Sequence, residues 1–316
     1  MTINVLFLNH HKSQCGVYDY GARLYDIWKK SKNIIFFYME VESLEEYRKI
    51  NFPSYNIILY NFHACTMPWL SHNSISSHNI NIGILHECYP TFFHKCIDTK
   101  SDIPRPLYDI IPIELHTSDE KIKSFISYGT DKNSPIIGSF GFGFTNKGFD
   151  KIVSYVNNQF SEAIIKIIMP YATYGDISGQ TANHVAKLCN NITIKPEIQI
   201  LIIHDYLDNN DLLYFLNSNT INVFLYDRME GRGISSTIDY ALSVNTPIGI
   251  SDSFMFRHIY DDSICIYKTP IIECMENSKE YLKKYKKEYS HNNSITFIES
   301  YLLSTRQILL SHGIGS

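Results

Sequence analysis

The chain has 316 residues, 44% of them apolar and 19% charged, the balance of a globular protein long enough for two ordinary domains. A formal net charge of −4 gives no global field that would draw it onto nucleic acid or anionic lipid. Seven cysteines, odd in number and without a Cys-x-x-Cys pair, argue against a zinc site or a disulfide framework and for reduced thiols in the cytoplasm.

In chain order, residues 3–8 read as a buried first strand with no basic segment before it, rather than as a signal peptide. Val17, Tyr20, Leu24, Ile27 and Trp28 then share one helical face. Apolar, β-branched runs recur at 33–39, 55–60, 80–86 and 111–116. Thr117 to Glu120 has the form of a capping box, opening a helix through Ile122, Phe125 and Ile126 that stops at Gly129. A polar segment ending in Pro135 follows, and a second strand series begins at 135–140, 163–169, 198–204, 221–226, 246–251 and 264–267. Phe149, Ile152, Val153 and Val156 form one helical face, and Leu212, Leu213 and Leu216 another. Lys283 to Lys287 reads as a solvated helix face, and Ile295, Ile298, Tyr301, Leu302 and Ile308 as a last helix. No run approaches the roughly 18 apolar residues of a membrane span. Short continuous apolar strands alternating with helices predict parallel sheets buried on both faces. The expected organisation is two doubly wound, Rossmann-like domains, 1–132 and 133–290, with a cleft between them, and a C-terminal helix, 291–316, packing back toward the first domain.

Two segments stand out. Gly138 to Gly148 (GSFGFGFTNKG) and Glu230 to Thr237 (EGRGISST) each follow a strand-like run and open into a helix. Each offers backbone N–H groups and a helix start to an anion, with Lys147 and Arg232 adding positive charge. Two such turns in one domain suit a diphosphate. Neither has Gly-x-Gly-x-x-Gly followed by an acidic residue about twenty positions on, which argues against a dinucleotide oxidoreductase. Asp261-Asp262 lacks a third ligand in view and reads as a surface turn, so no metal site is expected. Cys15 and Cys88 lack a base partner in sequence and read as packing or cleft lining.

Taken in order, Gln14-Cys15-Gly16, Ile82 to Glu87, Ile113 to Gly129, Ile137 to Phe149, His204 to Leu207 followed by Asp211 to Leu213, and Glu230 to Gly233 followed by Asp239 to Leu242 and Pro247 resemble the GT-B-fold glycosyltransferases, family 4 above all. The resemblance covers most of the chain. It implies transfer of a sugar, with retention and without a metal or cofactor, from a UDP- or GDP-type nucleotide-sugar to an acceptor. His86 and Glu230 are implied as catalytic residues at the sugar. Gly141, Lys147, Arg232, Gly233 and Ser235 would hold the diphosphate, and Tyr206, Leu207 and Asp239 the nucleoside. Cys15 and Gly16 belong to the N-terminal glycine loop. The family often carries an arginine early in the first turn, where this chain has Gly-Ser-Phe-Gly. The second cation is therefore assigned to Arg232, with Arg228 or Arg257 behind it.

The acceptor has no legible code. A glycan, a lipid-linked glycan and, with less support, a hydroxymethylated DNA base all remain open, as does the oligomeric state. Trp69, Tyr89, Phe92 and Phe93 either stack on a sugar or base or serve as packing. A nucleotide-sugar 2-epimerase of the same fold and a non-catalytic nucleotide- or carbohydrate-binding protein are the alternatives.

Overall fold

The computed structural model describes residues 3–11, 15–75, 79–86, 91–99, 107–108, 113–172, 175–230 and 233–314. The chain forms two compact units, Met1–Pro106 with Glu288–Ser316, and Leu107–Lys287.

The first unit is built on strands β1 (Ile3–His10), β2 (Ile34–Val41), β3 (Ile57–Phe62), β4 (Ile80–Leu85) and β5 (Lys95–Asp98), with helices α1 (Gly16–Trp28) and α2 (Leu44–Arg48). The sheet is parallel, in the order β2-β1-β3-β4-β5. Every residue of β3 and β4 is buried, as expected of central strands covered on both faces. β2 departs from that expectation. It is an edge strand with alternating burial, and Ile35, Phe37 and Met39 are exposed.

In the second unit, α3 (Glu120–Ser127) precedes β6 (Ile136–Phe140), α4 (Phe149–Gln159), β7 (Ala163–Ile168), α5 (Gln180–Asn190), β8 (Ile198–Ile203) and α6 (Asn209–Asn217). Then come β9 (Ile221–Phe224), α7 (Thr237–Ser243), β10 (Ile248–Ile250) and α8 (Ile271–Glu288). This sheet is also parallel, in the order β10-β9-β6-β7-β8. The reversal of direction beside β6 sets the first glycine-rich turn at the switch point, where open α/β sheets bind ligands.

Helix α9 (His291–Ser311) closes the core of the first unit, with Ile298, Leu302 and Leu309 packed among β-strand and α1 side chains. Ser294 Oγ accepts from Trp28 Nε1 at 2.9 Å, and Glu299 accepts from Ser31 and Asn33.

Several sequence expectations shift. Residues 113–116 form no strand, and 111–112 lie outside the described residues. The fifth strand of the first sheet is instead β5, whose Lys-Cys-Ile-Asp sequence has a single buried residue and no apolar run to betray it. At 264–267 there is only an isolated bridge, Ile250 to Cys265. The N-cap of α3 is Asp119, whose carboxylate accepts from Lys121 N and Ile122 N, and Thr117 lies two residues upstream of it. The segment 113–132 groups with the second unit, where His116 N and Thr117 N both donate to Asp211 Oδ1 at 2.6 and 3.1 Å.

Candidate functional site

The two glycine-rich turns of the second unit meet. The first leaves β6 at Gly141, whose N–H donates to Ile168 O on the neighbouring strand at 3.1 Å. A single 3-10 turn, Thr145–Lys147, leads into Gly148 at φ 64°, and α4 begins at Phe149. Any Cβ at Gly148 would lie 2.0 Å from Leu225 O, so glycine is demanded by both the left-handed backbone and the close approach of the second turn. Gly148 has no side chain to cap α4, and the first N–H groups of that helix therefore have no side-chain acceptor there.

The second turn leaves β9 through Leu225 and Tyr226, both buried. It is tied to the first by Asp227 N donating to Asn146 O at 2.9 Å, by Asn146 Nδ2 to Met229 Sδ at 3.2 Å, and by an ion pair between Lys151 and Asp227. Tyr226 is the centre of this junction. The Lys147 ammonium lies 3.8 Å from its ring centroid. Its hydroxyl is 3.0 Å from Thr237 Oγ1, which in turn is 2.7 Å from Ser235 Oγ. Tyr226 Oη also lies 3.4 Å from where a Cβ would stand at Gly141. Gly141 and Lys147 are thus joined to Ser235, some ninety residues further on, through a tyrosine that sequence reasoning counted only as part of an apolar strand. Its phenol ending such a run was the available signal, because a buried hydroxyl needs a partner.

The other predicted residues fall as follows. Glu230 is exposed in the turn, and Gly233 is partly buried after it. Arg232 lies outside the described residues. Arg228 stands 4.0 Å from Asp252 and over the Phe254 ring, while Arg257 Nη1 donates to Phe254 O. In the loop after β8, Tyr206 is exposed and Leu207 is buried. His204 stacks on Tyr171 with centroids 4.8 Å apart, and Asp205 pairs with Lys121 at 2.8 Å. Asp239 is fully buried on α7.

In the first unit, His86 follows β4 and is half-buried, its Nε2 2.8 Å from Asn61 Oδ1 and its ring edge-on to Tyr20. Cys15 is the N-cap of α1 without a side-chain bond, and Gly16 is the first residue of that helix. Burial pushes the His10 imidazole below its ordinary pKa. Phe93 lies in a buried core cluster, and Trp69 and Phe92, both partly exposed, pack against it; Tyr89 and Cys88 lie outside the described residues. Among the described residues no group of three or more His, Cys, Asp or Glu is placed to hold a metal ion. Asp261 caps Ser263, and Asp262 pairs with Lys268, as in an ordinary surface turn. No helix among the described residues is long and apolar enough to cross a membrane.

Two parallel-sheet Rossmann-like units of this order define the GT-B fold, and solved glycosyltransferase structures share it with this chain. HepE of Anabaena, solved with UDP-glucose, superposes at a TM-score of 0.66 with 10% identity, covering 96% of this chain and 100% of that one. A glycosyltransferase from Rickettsia africae gives 0.63 with 12% identity, over 98% and 99% of the two chains. The UDP-forming α,α-trehalose-phosphate synthase of Burkholderia xenovorans, solved with glucose-6-phosphate, gives 0.59 with 10% identity, over 96% and 100%. No protein-family model matches the sequence, and no curated protein matches it.

Proposed function

We infer that the protein is a glycosyltransferase that takes a sugar from a UDP-sugar, retains its anomeric configuration and needs no divalent ion. The observation that carries this reading is the junction at Tyr226, where two glycine-rich turns, a lysine ammonium and an uncapped helix start converge. The likeness in fold to UDP-sugar-bound HepE supports the choice of donor.

In the transfer, the anomeric C–O bond to the diphosphate breaks and the diphosphate leaves with the electron pair. The acceptor oxygen forms the new bond and gives up its proton. The charge that grows on the diphosphate is the main electrostatic problem of the reaction. Lys147, the first N–H groups of α4 and Ser235 Oγ are the residues assigned to it, joined by Gly233 N–H and by Arg232 as second cation. Glu230, exposed in the turn, is assigned to hydroxyls of the transferred sugar, as is His86. Tyr206 is the exposed side chain of the loop assigned to the nucleoside.

The test is a panel of nucleotide-sugars screened by thermal shift, followed by product analysis with the donor that stabilises most. A bound ligand raises the melting temperature by mass action. UDP-sugars are expected to stabilise, and the sugar is expected on an acceptor or on water with its configuration kept. A 2-epimerised donor as sole product, or no stabilisation by any nucleotide-sugar, overturns the reading.

A further inference from the structure

At the carboxyl ends of β1, β3 and β4 a polar chain runs from His86 back into the core of the first unit. The register pairs Leu8 with Tyr60 and Phe62 with Leu85, so Asn9, Asn61 and His86 end adjacent strands side by side. Asn9 and Asn61 are completely buried. Backbone groups fix how each amide points. Asn61 Nδ2 faces Val17 O at 2.8 Å, and a carbonyl can only accept, so this end is the NH2 group. Its second N–H reaches Asn9 Oδ1 at 2.8 Å, and Asn9 Oδ1 also accepts from His10 N at 3.0 Å, a group that can only donate. Asn9 Nδ2 in turn donates to Tyr18 O at 3.1 Å and to Tyr38 Oη at 3.0 Å.

Tyr38 Oη donates to Glu40 Oε1 at 3.2 Å, and Tyr18 Oη donates to the same oxygen at 2.6 Å. Burial, reinforced by the Glu40 carboxylate, pushes the Tyr18 phenol up to about 12 and raises that of Tyr38, which keeps both as donors. With both Asn61 N–H groups committed, its oxygen is the acceptor that meets His86 Nε2 at 2.8 Å. Helix α1 makes room for this arrangement. A Cβ at Gly21 would lie 2.3 Å from Asn61 Nδ2 and 2.9 Å from Asn9 Nδ2. Glycine inside a helix is less favourable than alanine, and here its missing side chain admits the two amides under the helix.

We propose that Asn61 is a positioning residue for His86, and that the directed chain His86–Asn61–Asn9–Tyr38–Glu40 holds the imidazole with a proton on Nε2. Any proton the ring gains or loses then moves at Nδ1, and the ring plane is fixed. Flipping the ring would leave a buried amide oxygen without a donor. The use of this in transfer rests on the assignment of His86 to the sugar, but the tautomer itself does not.

The experiment is nitrogen-15 NMR of the full chain labelled at histidine, without ligand, with the His86 signals assigned by comparison with His86→Gln. At a pH where the ring is neutral, a single Nε2–H tautomer is expected. An Nδ1–H tautomer, or an average of the two, in the unsubstituted protein overturns the proposal without any further variant. Asn61→Leu is expected to give averaged tautomers, while Asn61→Asp, which keeps an acceptor oxygen, retains the proton on Nε2; an unchanged tautomer in a folded Asn61→Leu protein overturns the role of Asn61. In turnover, Asn61→Leu is expected to lose at least about tenfold in kcat with UDP affinity within about twofold. If the tautomer is as stated while His86→Ala turns over at the unsubstituted rate, the functional assignment of His86 fails and the hydrogen-bond chain stands.

Discussion

Lys147 illustrates how a single charge is placed for use. Its ammonium rests on the face of Tyr226, an interaction worth about 0.5–2 kcal/mol depending on desolvation, and this fixes its place before any anion arrives. Lys147→Ala is expected to weaken UDP binding by roughly 10- to 150-fold, the equivalent of about 1.5–3 kcal/mol for a charge-assisted contact, with little change in melting temperature. Tyr226→Phe keeps the ring face and loses the hydroxyl, whereas Tyr226→Leu loses both. Calorimetric titration with UDP should therefore rank Tyr226→Leu weaker than Tyr226→Phe; equal affinities would show that the ring face does not position the lysine.

Lys166 is a second residue whose chemistry follows from its surroundings. It is fully buried on β7, its Nζ donates to Ile126 O at 2.6 Å near the end of α3, and burial pushes its pKa down to about 8. The unfolded chain, with an ordinary lysine near 10.5, binds more protons than the folded one between about pH 8 and 10. Stability from this group therefore rises with pH across that window, at a slope of up to about 1.4 kcal/mol per pH unit. Urea midpoints from pH 7 to 10 should show the unsubstituted protein gaining on Lys166→Met through the window. Parallel curves would mean that the lysine titrates normally in the folded state.

At the scale of elements, the turn between β6 and α4 depends on Gly148. Alanine there meets both a left-handed backbone, which costs about 1–2 kcal/mol, and the Leu225 carbonyl. Gly313 has a similar φ of 73° but nothing within 4 Å of its would-be Cβ. Gly148→Ala is expected to lower stability more than Gly313→Ala and also to weaken UDP binding, since the two turns must separate. Equal losses of melting temperature would leave the Leu225 contact without weight. The strands show the same division between local and long-range causes. The buried runs of β3 and β4 were legible from their apolar residues, whereas Lys-Cys-Ile-Asp became β5 only because the open edge of β4 accepts it.

For the whole molecule, the charge problem of the reaction is assigned to protein groups rather than to a metal. Treatment with EDTA is expected to leave transfer intact, and activity lost to chelation and restored by Mg²⁺ or Mn²⁺ would contradict that assignment. The fold was legible at this scale because alternation of apolar strands and helices is shared with solved structures of the same fold at only about 10% identity. The roles of individual residues were less legible. Gly141, Lys147 and Ser235 were visible as parts of two turns, but Tyr226, which joins them, stood only as the polar end of an apolar run. Asp239, assigned to the nucleoside through the resemblance alone, is fully buried on α7.

The sequence by itself determined most of the strand–helix order, the glycines in the two turns, and the residue types available to meet an anion. These depend on periodicity and backbone sterics, which act over a few neighbouring residues. Only the tertiary structure decided that Asn61 would meet His86, that Trp28 would find Ser294, and that Lys147 would lie on Tyr226. Such pairs are far apart in the chain. Their meeting is set by strand register and helix packing, sums of many weak contacts that no local stretch of sequence contains.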